Sequence, residues 1–416
     1  MTTPRSLAFA VVLSVAAAGI ISAASLTELL DEAAHNNPDI AAAMRGWRAA
    51  AQIPSQVSTM PDPQVTVQQV AVGSPRPFAG FSNSDFAYIG FGVSQDLPYP
   101  GKLSLRAEAA ERDAAVSREK YEAAKRSIFE QVKATYFQLA YIQKTLGVLE
   151  RDQTVLDQIG KIAEAHYRLG QGNQQDVLKA QLEKTKILNE LAHHHELMGS
   201  LQAQMSKLLN RPPGTADIEA DDLTETPLTW TSEDLLAKVR TENPDVNGGQ
   251  EVVRKQSLQV ELARKDRYPD FNVQYQWEHT AGQFRDYYMV TFSARLPIYR
   301  KRKLDPEMAQ AVEELDQSRR EYESHVQQAY FEVRDQYISA ETASQMLKIY
   351  REGLIPQAMA TLRAGLSAYE SGKQDFQSLL SSFLDVLNFD EEYWKALAEH
   401  ETALARIEQL TGVAIR

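Results

Sequence analysis

The sequence has no cysteine at any of its 416 positions. That excludes disulfides, thiolate metal sites, cysteine nucleophiles and N-terminal lipidation, which needs a cysteine just after a cleavage point. An excess of basic residues is also missing: the net charge is −12, and nucleic acid is set aside as a partner. After residue 24 no run reaches about 18 consecutive apolar residues, the length of a membrane-spanning helix. Clustered His/Asp/Ser sets and phosphate-cradling glycine motifs are lacking as well. No catalytic residue, cofactor or metal-ligand set is therefore expected, and an enzyme is the weakest functional class. Proline is absent from Lys102 to Gly170.

That proline-free stretch organises the chain. At about 1.5 Å per residue it predicts one helix roughly 100 Å long. Ala107, Ala110, Ala114, Ser117, Tyr121, Ala124 and Ile128 recur at steps of three and four. After one step of four to Val132 the pattern resumes at Thr135, Leu139, Ile142, Leu146, Leu149, Gln153 and Leu156. This is a heptad seam with one stutter. A helix far longer than the usual three to four turns needs partners along its whole length.

Residues 1–24 read as a secretory signal. Arg5 supplies the positive region, Leu7 to Ile21 the apolar region, and Ser22-Ala23-Ala24 the small-x-small cleavage site. The remainder echoes itself, with a first repeat expected over 25–210, a linker over 211–231 and a second repeat over 232–416. Asn37-Pro38-Asp39-Ile40 is matched by Asn243-Pro244-Asp245-Val246, Leu97-Pro98-Tyr99 by Leu296-Pro297-Ile298, and Tyr167-Arg168-Leu169-Gly170 by Tyr369-Glu370-Ser371-Gly372. The first repeat should carry strands over about 63–97, a long helix over 102–170 and a return helix over 173–209. The second should carry strands over about 270–297, a long helix over 304–370, kinked at Pro356, and a return helix over 373–411. The proline-bearing, acidic linker is expected to be a surface connector. Short helices near 41–56 and 249–267, stacked end to end with the return helices, would nearly match a long helix in length, giving a rod.

Within the extended regions the hydrophobic period changes to two. Phe271, Val273, Tyr275 and Trp277 alternate with polar residues, and Tyr288, Val290, Phe292 and Ala294 alternate with Met289, Thr291, Ser293 and Arg295. Ala87, Ile89, Phe91 and Val93 form a third such run, and Val65, Val67 and Val70 a weaker one. Each run has the length of a tilted transmembrane β-strand, and aromatics concentrate there as interfacial girdles require. Phe271, Val273, Tyr275, Trp277, Val290 and Phe292 are the expected lipid-facing residues, with 73–84 and 279–286 as hairpin loops. Four strands cannot close a barrel with a lumen, and open edges are not tolerated in lipid. The fold class is thus mainly α with a membrane β-barrel part, and three copies would supply about 12 strands.

These features resemble the TolC family of outer-membrane efflux proteins. The resemblance rests on the duplicated order of elements and on Tyr167-Arg168-Leu169-Gly170 followed by Asp176-Val177-Leu178 and Ala180. The stretch Gln95-Asp96-Leu97-Pro98-Tyr99-Pro100-Gly101-Lys102-Leu103 resembles the branch paired with heavy-metal resistance-nodulation-division pumps. The resemblance implies a homotrimeric channel-tunnel with its β-barrel in outer-membrane lipid and a helical barrel in the periplasm. It also implies a periplasmic membrane-fusion adaptor and an inner-membrane pump as partners, with metal ions or drugs as cargo. A type I protein secretion outlet is an alternative, as is a periplasmic coiled-coil scaffold without a membrane barrel.

Candidate sites follow. Leu169, Gly170, Gly172 and Gly372 lie at helix-ending turns and are expected adaptor-docking tips, with Leu366 nearby; glycine alone suffices to end a helix. Relatives with an acidic constriction carry carboxylates six and nine positions after the second-repeat glycine. Here Ser378 and Ser381 hold those positions, and Asp375 is the nearer acid. Asp176 keeps the six-position spacing in the first repeat. Asp176 and Asp375 are the candidate gate carboxylates, although an acid in a helix's first turn needs no such role. His193-His194-His195 point about 100° apart on a helix and are expected on a solvated face. Arg300-Lys301-Arg302-Lys303 sits where strand becomes helix, to meet lipid head groups, line the duct or face solvent.

Overall fold

The computed structural model describes residues 25–70, 87–280 and 285–415. The expected signal over 1–24 and the loop over 73–84 lie outside the described residues. The first helices are α1 (Leu26–Asn36), α2 (Pro38–Ala50) and α3 (Ile53–Ser58). Strands β1 (Gln64–Val70) and β2 (Tyr88–Leu97) precede α4 (Lys102–Arg168) and α5 (Gln174–Leu208). A second series follows: α6 (Ser232–Glu242), α7 (Pro244–Lys265), β3 (Asp270–Thr280), β4 (Tyr287–Arg295), α8 (Asp305–Ile349), α9 (Ile355–Glu370) and α10 (Phe376–Thr411).

Helix α4 runs unbroken for 67 residues, about 100 Å at the standard rise. It packs against α2, α3 and α5 and against α7 and α10. Being surrounded, it buries more than one heptad seam. Ile128, Val132, Leu139, Ile142, Leu149 and Leu156 of the expected seam are buried, but so are Tyr136, Phe137, Ala140, Ile159 and Ala163. Apolar burial is divided among three clusters rather than gathered in one core: two draw on the same stretch of α10, with Ala405 in one and Ala403, Leu404 and Ile407 in the other, and the third lies farther along, around Leu156 and Phe383.

The second long helix is divided. A π-helical turn, Tyr350–Leu354, separates α8 from α9, and Pro356 stands in the first turn of α9. Proline cannot donate the helical hydrogen bond and crowds the carbonyl four residues back; the wider turn absorbs both effects. A second π turn, Arg300–Leu304, opens α8, so helical backbone begins earlier than the expected residue 304.

Asparagine joins the rod's shorter helices end to end. Asn37 caps α2: its Oδ1 accepts from the N–H groups of Asp39 (2.9 Å) and Ile40 (3.2 Å). Its Nδ2 donates to the carbonyl of Leu208 at the end of α5 (2.9 Å). Asn243 repeats the device, accepting from Asp245 and Val246 (both 3.0 Å) and donating to Leu410 O of α10 (3.0 Å). One buried amide thus serves an orphan donor end and an orphan acceptor end together.

The join between the two series runs irregularly over the surface, with most of its residues exposed, and it is held down at a few points. Ile218 and Leu223 are buried. Gln202 of α5 clamps the backbone of Ile218 through both amide atoms (2.7 and 3.0 Å). Glu401 of α10 accepts from the N–H and hydroxyl of Thr226 (2.8 and 2.9 Å). Arg211 grips Glu32 through two hydrogen bonds (2.7 and 2.6 Å). The segment is a strap across the bundle.

Candidate functional site: the sheet and the distal turns

The four strands form one antiparallel sheet in the order β1-β2-β3-β4. Register aligns the apolar positions across it. Val67, Phe91, Trp277 and Tyr288 lie in one row, and Val65, Val93, Tyr275 and Val290 in the next. Val273 opposes Phe292, and Phe271 opposes Ala294. This face is open: Phe292 is 77% exposed and Tyr275 49%. Five of the six expected lipid-facing residues are exposed and Val273 is half-buried on the same face. Two residues of the expected runs depart. Ala87 is buried, and Val70, out of phase with Val65 and Val67, is half-buried.

The opposite face is polar and ordered. Gln276 and Glu278 are 7% and 3% exposed. Gln276 Nε2 donates to Gln68 Oε1 (3.1 Å) and to Glu278 Oε1 (3.0 Å), and Gln68 Nε2 donates to the Tyr88 hydroxyl (3.1 Å). Gly90 makes room for this network: a Cβ there would stand 3.3 Å from both Gln276 and Glu278. The sheet is therefore inside out relative to one covering a soluble core. Each large apolar side chain left in water forgoes about 1.5–3 kcal/mol of burial, and eight such side chains in two rows exceed what a marginally stable fold tolerates. Within the chain, β1 and β4 each pair on one side only among the described residues.

Where β2 passes into α4, Lys102 is buried and its Nζ lies 3.1 Å from Asp266 and 2.9 Å from Asp270. Tyr99 stacks on Tyr268 at 4.5 Å. These contacts tie the sheet to the start of the rod.

At the far end of α4 and α9 lie two turns of one geometry. Gly170 and Gly372 take φ of 71° and 70°. The amide of Gln171 reaches back to His166 O, and that of Lys373 to Ala368 O (both 2.8 Å). Glycine enters this left-handed region without strain. Gly172 has no positive φ; a Cβ there would meet that of His166 at 3.1 Å, so close approach is what it permits. Leu169 projects from its turn, 70% exposed. Leu366 packs instead against the apolar cluster beneath.

The two candidate carboxylates differ. Asp375 caps α10, its Oδ1 accepting from Ser378 N–H (2.9 Å) and its Oδ2 from the Ser378 hydroxyl (2.7 Å). The Ser378 hydroxyl, with the N–H of the same residue, holds its pKa below the ordinary carboxylate value, so it is charged at neutral pH. Asp176, half-buried in the first turn of α5, raises the pKa of Tyr369 in α9 second to the effect of that ring's burial. Of the three histidines on α5, His193 and His195 are exposed, but His194 turns inward, correcting the expectation of a wholly solvated face. Its Nε2 lies 3.8 Å from Glu391 of α10. Among the described residues no three His, Cys, Asp or Glu side chains converge as a metal site.

No curated protein matches the sequence. Solved structures do match, over nearly the whole chain. The outer-membrane channel OprN aligns with TM-score 0.81 at 16% identity, covering 94% of this chain and 90% of that one. The outer membrane protein VceC from Vibrio cholerae gives 0.80 at 18%, covering 94% and 97%. CusC, whose structures describe folding and transmembrane channel formation, gives 0.79 at 16%, covering 94% and 92%. The fold is thus that of these channels. The family model described as outer membrane efflux protein matches residues 29–210 and again 235–413. With most of its length so matched, the chain belongs to the outer membrane efflux protein family.

Proposed function

We propose that three copies close one water-filled duct through the outer membrane, the four strands of each supplying a third of a 12-stranded barrel and the long helices continuing the wall into the periplasm. The observation that carries this reading is a sheet with an apolar outer face, a polar inner face and two edges unpaired among the described residues. Unsatisfied edge groups cost several kcal/mol each in hydrocarbon, so β4 of one copy pairs with β1 of the next. The family is one of channels, and the duct is passive: cargo diffuses and no chemistry is catalysed. The turns at Leu169–Gly172 and Gly372, the points farthest along the rod from the sheet, are the docking tips for a periplasmic adaptor and, through it, an inner-membrane pump. The Gln95–Leu103 stretch favours metal ions as the cargo to test first.

In this assembly Asp176 and Asp375 would each stand in a ring of three near the distal opening, where carboxylate rings attract cations and hold a constriction by mutual repulsion. The experiment is conductance across a planar bilayer. The native protein should give long-lived channels that prefer cations, and Asp176→Asn combined with Asp375→Asn should bring the cation-to-anion permeability ratio down toward one. Failure to conduct at all would overturn the duct. Unchanged selectivity in the double variant would overturn the role of these two carboxylates while leaving the duct in place.

A further inference from the structure

We infer that the junction between β4 and α8, from Leu296 to Lys303, is a binding surface for the anionic headgroups of a phospholipid leaflet. The inference rests on the duct reading, because it requires β4 to stand in a bilayer. Past Arg295, the last paired residue of β4, the chain turns tightly at Pro297, where the Ile298 N–H donates to Leu296 O (3.0 Å), and two further apolar side chains, Leu296 and Ile298, follow the outward residues Val290, Phe292 and Ala294. Leu296 and Ile298 are 65% and 70% exposed, so exposed apolar side chains do not end where the strand does. Tyr299 follows, also exposed. The next four residues, Arg300, Lys301, Arg302 and Lys303, are all exposed cations on the π turn, which Leu304 pins to the body by its burial.

None of the four forms an ion pair among the described residues, and the nearest acid in sequence, Asp305, is held by Arg267 at 2.9 Å. The matching junction between β2 and α4 shows the contrast. There Tyr99 is stacked and Lys102 is buried between two carboxylates. One junction is thus internally neutralised, whereas the other keeps four like charges together in a chain of net charge −12. Self-repulsion disfavours such a run unless an external anion meets it. Apolar side chains, tyrosine, then cations is the order in which acyl chains, interface and headgroup phosphates are met on leaving a bilayer. Lys and Arg near an anionic surface each add to binding, and their stems lie along the apolar side while the charges reach outward.

The test uses the assembled, detergent-extracted particle of the full chain, weighed intact by native mass spectrometry with phosphatidylglycerol or phosphatidylcholine added. The native particle should retain phosphatidylglycerol preferentially. The Arg300→Gln/Lys301→Gln/Arg302→Gln/Lys303→Gln variant should lose that preference by about tenfold or more at unchanged particle mass. Arg300→Lys with Arg302→Lys should keep it, and inorganic phosphate should not displace the lipid. Equal retention of both lipids, or a preference that survives the quadruple variant, would overturn the inference. So would displacement by inorganic phosphate, which would mark a free-anion site, or a variant that falls apart into single copies, which would assign the cations to contacts between copies. A native protein that is never an assembly would instead overturn the duct reading and this inference with it.

Discussion

A Val290→Arg variant is expected to disappear from the outer membrane as an assembled particle, while Thr291→Arg, one residue along the same strand, persists. Val290 faces outward in register with Tyr275, and Thr291 faces the polar side with Gln274. Their surroundings differ only by which side of the sheet meets lipid. Arginine on the lipid face near the bilayer midplane costs about 2–4 kcal/mol. Three copies in one barrel multiply that to roughly 6–12 kcal/mol, comparable with the whole stability of a typical domain. On the polar side the same guanidinium is met by amides and water. The measurement is the amount of detergent-resistant, heat-modifiable particle in purified outer membranes. Equal loss of both variants, or equal survival, would show that the two faces of the sheet are not in different solvents.

The second large effect lies in the rod. Asn37→Ala and Asn243→Ala should each destabilise the protein by about 2–4 kcal/mol: roughly 1 for the lost cap and about 1–3 for a buried carbonyl left without a donor. Asn37→Ser separates the two parts, because a hydroxyl still caps α2 but cannot span to Leu208 O. It should recover about 1 kcal/mol of the alanine loss. Thermal unfolding in detergent at one scan rate, followed by helical circular dichroism, reads these differences. An alanine variant that melts with the native protein would mean that the helices do not depend on these joints.

The sequence exposed some levels of this fold and hid others, for physical reasons. Strand periodicity was legible because the two faces of the sheet differ, one carrying exposed apolar side chains and the other a network of amides, which gives a period of two from Phe271 to Glu278 and from Tyr288 to Arg295. The glycine turns were legible because few other residues take their backbone angles. Asn37 and Asn243 stood out as matched landmarks, yet their work as joints was invisible, since the carbonyls they serve lie 171 and 167 positions away. The anchoring of the strap was hidden for a similar reason. Its prolines and acids describe a connector, and only the partners Gln202 and Glu401 show that Ile218 and Thr226 are held down. A heptad seam records one contact face, so it missed Tyr136, Phe137 and Ala140, which are buried because α4 is covered on several sides. His194 departs from its exposed neighbours because adjacent helical residues point about 100° apart, and its direction alone brings Nε2 to 3.8 Å from Glu391 of α10.

The central claim is that one chain is an incomplete wall. It is tested most directly by the mass of the native protein extracted from outer membranes in detergent. The account predicts a particle of three copies that aggregates when detergent is withdrawn. A stable single copy in plain buffer, with Phe271, Tyr275 and Val290 shielded from an aqueous quencher, would contradict it.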